Sequence, residues 1–294
     1  MYFHHSAKIG RLGLFGLTRR LITMKKILRD RPSKAYYDEQ WRRIGAEEDS
    51  FENLDIYPIK YAEIALSHAP ADALILENGC GIGRVLTHYH KAGRKIIGME
   101  FNEFALFEIR KRHPDIPLVR ADARHMPFKD GVFDVVLAYG LYHNIEENLN
   151  KGIRESRRIM KHDGVICASG RICNIQYLAF EIKHWLKNGG PKSPVFYKWV
   201  FKKKEWIDLF TRENFSPLDI QPAYSTHPLY RLSVFRDPRC FGMSEDKLRS
   251  YGRRLNPLGR FLDKCFHRLY DWLVCDRIVF IGRLKLFSDN ADRT

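Results

Sequence analysis

Residues 73–84 read Ala73-Leu74-Ile75-Leu76-Glu77-Asn78-Gly79-Cys80-Gly81-Ile82-Gly83-Arg84, an apolar run, one acid, then three glycines at every second position. A short apolar run closed by glycine has the form of a strand buried within a parallel sheet. Without a Cβ, glycine lets the backbone turn sharply and lie against a ligand, and the helix that follows directs free N–H groups at the same place. The arrangement points to a nucleoside-type ligand at the strand's end. The spacing, E-x-G-x-G-x-G, lacks the two residues that separate the last glycines of the dinucleotide fingerprint, which disfavours NAD. Taken alone, Gly79, Gly81 and Gly83 also fit a tight strand-to-helix turn with no ligand.

Downstream segments extend the pattern. Lys95-Ile96-Ile97-Gly98-Met99 forms a second strand ending in Glu100, about twenty residues beyond the glycines, where a carboxylate can accept from ribose hydroxyls. A helix is expected over 103–113. The short strand 117–120 leads into Ala121-Asp122-Ala123, where a carboxylate can accept from an adenine amino group. A fourth strand spans 132–138. Singly, Glu100 and Asp122 read as solvated loop acids. Ordered at successive strand ends they form a set, because ligands of open α/β sheets sit at the C-terminal strand edges.

With these segments in place, the chain resembles the class I S-adenosylmethionine-dependent methyltransferases, in particular the type 11 group of small-molecule enzymes. The likeness covers roughly 73–170: ILENGCGIGR, GMEFN, RADARHMPFKDGVFDVVLAYGLYHN and ESRRIMKHDGVICASG follow in that family's order. It implies a Rossmann-like, seven-stranded α/β sheet with helical insertions, its sixth strand at 217–222 and its last, antiparallel, at 277–283. It implies S-adenosyl-L-methionine as cofactor. Glu77, Gly79, Gly81 and Gly83 would shape the methionine end, Glu100 would hold the ribose, and Asp122 would read the adenine between Phe101 and Ala123. Tyr139 begins the loop where cofactor and acceptor meet. The resemblance also implies a tyrosine-rich N-terminal lid, with Tyr36, Tyr37 and Trp41 as candidates to cover the cationic sulfur; the same rings read equally as helix packing.

In that loop, Tyr139-Gly140-Leu141-Tyr142-His143-Asn144, any catalytic side chain is expected. Alignment of the acceptor is the main demand of methyl transfer, and a base helps only where the acceptor must lose a proton. His143, with an ordinary pKa of about 6.5, is the candidate base, and Tyr142 the second candidate. His143 also reads as a cap for the following helix. Asp134, acidic within an apolar run, reads either as a neighbour of the methionine end or as a structural acid bonded to backbone; the second is preferred.

Charge is unevenly spread. The 294-residue chain carries a net +15, with nine Lys/Arg against one acid in residues 1–34, 23 against 22 in 35–200, and 18 against 12 in 201–294. Residues 1–34 therefore read as a basic amphipathic extension, with Leu14, Leu17, Leu21, Met24 and Leu28 at helical spacing over 11–29. An anionic membrane surface would suit it. A transit segment, a helix packed on the core, and a true start at Met24 are the alternatives. The six cysteines form no C-x-x-C pair and no metal spacing, so neither disulfide nor metal is expected and a cytoplasmic setting fits.

Residues 35–294 are expected to be the methyltransferase domain, with acceptor-lid insertions at 172–201 and 225–275. Helices are expected at 174–187, 205–212, 245–254 and 258–275. The last carries an apolar face of Phe261, Cys265, Phe266, Leu269, Trp272 and Leu273 that would roof the acceptor or join a second copy. The aromatic and basic run 196–204 suits nucleobases, anionic glycans or lipid headgroups, or simply leads into a helix. The leading reading is O-methylation of a small, glycan or lipid-linked acceptor. RNA methylation, which the charge suits, and a non-catalytic scaffold that keeps the fold are the alternatives.

Overall fold

The computed structural model describes residues 24–30, 39, 51–224 and 227–285. Tyr36, Tyr37, Trp41 and residues 1–23 lie outside them. The sheet has seven strands. Five are parallel, β2 (Ile75–Asn78), β3 (Ile96–Glu100), β4 (Leu118–Arg120), β5 (Phe133–Tyr139) and the long β6 (Met160–Arg171). With β8 (Phe215–Ala223) and β9 (Arg277–Leu284) the spatial order is β4-β3-β2-β5-β6-β9-β8, with β9 antiparallel to both neighbours. The strand order reverses at β2, whose parallel neighbours β3 and β5 lie on either side of it, and a ligand crevice forms at such a switch point.

Alternation along each strand divides the core into two layers. Val135 and Leu137 of β5, with Val279 and Ile281 of β9, face α1 (Ile59–Leu66), α2 (Arg84–Lys91) and Ile109 of α3 (Glu103–Arg112). Val136, Ala138, Ile278 and Phe280 face the other way, toward α4 (Leu149–Ile159) and α6 (Lys203–Thr211). There Trp206 and Phe210 are fully buried, and Phe210 stacks on Phe280 at 4.7 Å. Asp134 settles as a structural acid: its Oδ2 accepts from Leu74 N at 2.9 Å and pairs with Lys161 at 2.9 Å.

The expected helix over 11–29 fails where it can be seen. Residues Lys25–Arg29 form β1, an antiparallel partner of β7 (Val195–Val200). In β1 only Ile27 is buried, and in β7 Phe196 and Val200 are; Lys198 pairs directly with Ile27, so a basic side chain shares the face of that buried residue. The aromatic and basic run is thus mostly strand, with Lys203 opening α6 over the Trp272 ring at 3.7 Å.

The helix expected after the fifth sheet strand exists as α5 (Ile175–Asn188). Its N-cap Asn174 accepts from Tyr177 N at 3.1 Å and donates to Cys275 O at 2.7 Å, which pins it beside the end of α8 (Pro257–Val274). Between them in the chain lies α7 (Glu245–Tyr251), whose Ser250 Oγ accepts from Glu52 N at 3.2 Å. The apolar face expected on α8 is not buried as a unit: Phe261 and Leu273 are exposed and Trp272 is half-buried.

Candidate active site

A cavity of about 1460 Å³ runs along the C-terminal strand edges from the glycine loop to the segment 227–271. That exceeds the roughly 300–1,000 Å³ of most small-molecule pockets, so it has room for two ligands. Glu77, Gly79 and Gly81 line one end, with Glu100, Phe101, Asp122 and Ala123 beside them and Tyr139 at the middle.

Hydrogen bonds hold this end in shape. Glu100 accepts from Gly81 N at 3.0 Å through one oxygen and from the Phe101 and Asn102 amides, both at 2.9 Å, through the other. One carboxylate therefore braces the glycine loop and still keeps a lone pair toward the cavity. Gly79 has φ +77°, and a Cβ there would stand 2.9 Å from Leu141 Cδ1. Gly83 differs from the expectation. It is the left-handed N-cap of α2, a Cβ on it would strike Ile109 at 2.9 Å, and it does not line the cavity. Its role is helix packing.

Glu77 is the most informative group. It is 5% exposed, its Oε2 has no hydrogen-bond partner, and burial, with Glu100 nearby, pushes its carboxyl up to about 8 despite a backbone amide bond and Arg84. A buried, unpartnered carboxylate at a cavity wall is costly unless a ligand supplies a cation or donor. Asp122 is more occupied than expected, since Arg124 grips both oxygens, closest at 2.6 Å, and its bonds hold the carboxyl below its ordinary range. An adenine amino group would share that carboxylate with arginine.

Tyr142 and His143 leave the list of catalytic candidates. Neither lines the cavity, and they are 0% and 1% exposed. Tyr142 bonds Ser156 Oγ at 2.7 Å beneath the sheet edge. Burial, then Arg171, Lys198 and Arg277, push the His143 ring well below its ordinary pKa, which weakens it as a base. A histidine after a strand end looks the same in sequence whether its side chain turns toward the crevice or away from it.

Beyond Tyr139 the lining changes character. Tyr57 and Tyr61 stand beside it, Tyr57 edge-on to Tyr139 at 6.0 Å with its hydroxyl on Ser169 Oγ at 2.8 Å. Arg171, Lys198 and Arg277 form a basic wall, and His227, Arg249, Arg253 and Lys264 belong to the roof. A His227 Nε2 to Asp263 bond at 2.9 Å and a Tyr224 hydroxyl to Asp271 bond at 2.8 Å tie that roof together. The run 196–204, with Lys198, and the segment 225–275 drew attention in the sequence, but Arg171, Arg277 and Tyr61 did not, because the segments that meet here are far apart in the chain.

Residues 76–168 match the methyltransferase domain family. This stretch is a class I S-adenosylmethionine-dependent methyltransferase domain of the type 11 group. An uncharacterized protein of Methanocaldococcus jannaschii is 27% identical over 160 residues, 54% of this chain and 59% of that protein. A demethylmenaquinone methyltransferase of Renibacterium salmoninarum is 32% identical over 91 residues, 31% of this chain and 38% of the enzyme. The chain thus spans under two thirds of these relatives. A solved S-adenosylmethionine-dependent methyltransferase of Methanosarcina mazei shares the fold, with a TM-score of 0.53 at 16% identity, over 79% of this chain and 100% of that one.

The residues of the methyltransferase domain fit S-adenosylmethionine. The orphaned Glu77 oxygen suits the ammonium of its methionine part, and the acids lining that end suit a cationic ligand.

Proposed function

We propose that the protein transfers a methyl group from S-adenosylmethionine to an oxygen of a bulky acceptor, a small, glycan or lipid-linked molecule. The observation that carries this is the continuity of one cavity from the acid-lined glycine loop, past Tyr139 and Gly140, into the basic chamber under 227–271. When bound, the cofactor would supply a methyl group on positive sulfur: the acceptor oxygen would bond the methyl carbon, the C–S electron pair would stay on sulfur, and the hydroxyl proton would pass to solvent. Glu77, Glu100 and Asp122 hold the donor, the tyrosines at 57, 61 and 139 exclude water, and the far chamber aligns the acceptor, the largest demand of such a displacement. Calorimetry with S-adenosylhomocysteine on wild type and Gly81→Arg tests the donor site: micromolar binding lost in the variant supports it, and no binding by folded wild type sinks it. Labelled cofactor incubated with lipid, glycan and RNA fractions then tests the acceptor, and label confined to RNA would overturn the reading in favour of RNA methylation.

The lipid-linked option has an observation of its own. On α5, Ile175, Ala179, Ile182 and Leu186 form one exposed stripe with Trp185 beside it, and Lys183 and Lys187 are exposed next to it. An apolar stripe with aromatic and lysine neighbours is the composition of a helix lying in an anionic membrane surface. No helix among the described residues is long and apolar enough to cross a membrane. Co-sedimentation with phosphatidylglycerol vesicles, lost in Trp185→Asp/Leu186→Asp, is the expected result; equal sedimentation of both proteins would refute surface contact.

A further inference from the structure

We propose that Arg171, Lys198 and Arg277 form the subsite for an anionic group, a carboxylate or a phosphate, on the methyl acceptor; the assignment to the acceptor rests on the methyl-transfer reading of the cavity. The first observation is register. Arg171 ends β6 and Arg277 begins β9, and they are direct partners across this antiparallel pair. Side chains of such a pair leave the same face of the sheet about 5 Å apart at their bases, and like charges placed so repel. Both line the cavity.

The third cation arrives from another sheet. Phe201 N donates to Arg171 O at 2.9 Å, which joins the end of β7 to the end of β6 and brings Lys198 to the same wall. Its ammonium lies 4.2 Å from the Tyr197 ring centroid. Burial, then Arg171, Arg277 and Arg29, hold the Lys198 ammonium well below its ordinary pKa, with Glu181 opposing. Asp276, 3.1 Å from Arg171, is a counter-ion of the cluster. Three basic side chains on one wall of an open chamber can give an anion there several charge-assisted hydrogen bonds.

Position gives the anion its meaning. The Arg277 guanidinium lies 4.5 Å from the Tyr57 ring centroid, and a Cβ on Gly140 would stand 4.0 Å from its Nη1. Gly140 directly follows Tyr139 at the end of β5, where the acid-lined donor end gives way to the chamber. An acceptor anchored here by its anion sits beside the donor end without occupying it.

The test uses the full chain. Inorganic phosphate and acetate are titrated separately at fixed ionic strength against chloride, followed by calorimetry, on wild type, Arg277→Gln and Lys198→Gln, with S-adenosylhomocysteine affinity measured on each. Expected is saturable binding of phosphate or acetate to wild type, weakened about tenfold or more in both variants, as the loss of a charge-assisted bond implies. S-adenosylhomocysteine affinity stays within about twofold, which also shows that the variants fold. Preference for phosphate or for acetate tells the two anion classes apart. Neither anion binding a wild type that binds S-adenosylhomocysteine overturns the subsite, as does binding that both variants retain. A wild type that binds phosphate but not S-adenosylhomocysteine overturns the methyl-transfer reading and, with it, the assignment of the anion to an acceptor.

Discussion

The two ends of the cavity are built on opposite charges and by opposite routes. At the donor end, three acids from the ends of β2, β3 and β4 lie by a glycine loop, and Glu100 ties that loop, through Gly81 N, to the Phe101 and Asn102 amides after its own strand. At the acceptor end, Arg171, Lys198 and Arg277 come from three strands and two sheets, roofed by residues between 227 and 271. The contrast gives the cavity a direction. On the proposed reading, a cationic donor is drawn to one end and an anionic acceptor to the other, so electrostatics would orient both before any specific contact forms.

The sharpest way to break the comparison is at the donor end. Gly81→Arg fills the loop where Glu100 accepts from Gly81 N, and S-adenosylhomocysteine affinity is expected to fall at least about a hundredfold, read by calorimetry. Next is Glu77→Gln, expected to weaken that ligand about 10- to 100-fold, because a charge-assisted bond at a buried site is removed.

Glu77 also makes a pH prediction. Its folded-state pKa is raised to about 8, so its contribution to stability without ligand is fully present below the ordinary carboxyl range and is lost as pH rises through about 8. A ligand ammonium beside it favours the ionised form, so binding near neutral pH releases a proton. Calorimetry in buffers of different ionisation enthalpy should show that release in wild type and its absence in Glu77→Gln; no buffer dependence in wild type would remove Glu77 from the ligand's surroundings.

Smaller effects sharpen the boundary between the ends. Asp122→Asn should cost the donor site about fivefold or less, since the carboxylate is already shared with Arg124. His143→Gln is expected to lower thermal stability by about 1–2 kcal/mol while leaving S-adenosylhomocysteine affinity and the pH profile of transfer unchanged. A profile that lost a limb in His143→Gln would return the histidine to the reaction.

Most of the donor end was legible in residues. Glycine at 79 and 81 has a backbone reason visible in sequence, and acids that end successive strands of a parallel sheet have one place to go. Gly83 shows the limit. It belongs to the same motif, but its missing side chain makes room for Ile109 of α3, a contact made by a residue 26 positions away. His143 and Tyr142 show another: both fall in the right loop, and only packing decided that their rings turn into the core. The strand at 25–29 was hidden for a third reason. Its apolar residues satisfy a helical period, and pairing with β7 overrode that local preference.

By itself the sequence determined the order of strands, the donor loop and the class of cofactor, because those depend on residues near one another in the chain and on the backbone freedom of glycine. Tertiary structure alone decided the acceptor end. Arg171 and Arg277 stand 106 positions apart and become neighbours only when β9 inserts antiparallel beside β6. Charge repulsion between them exists nowhere in the linear chain; it appears when the sheet closes, and the chamber it lines acquires its sign at that moment.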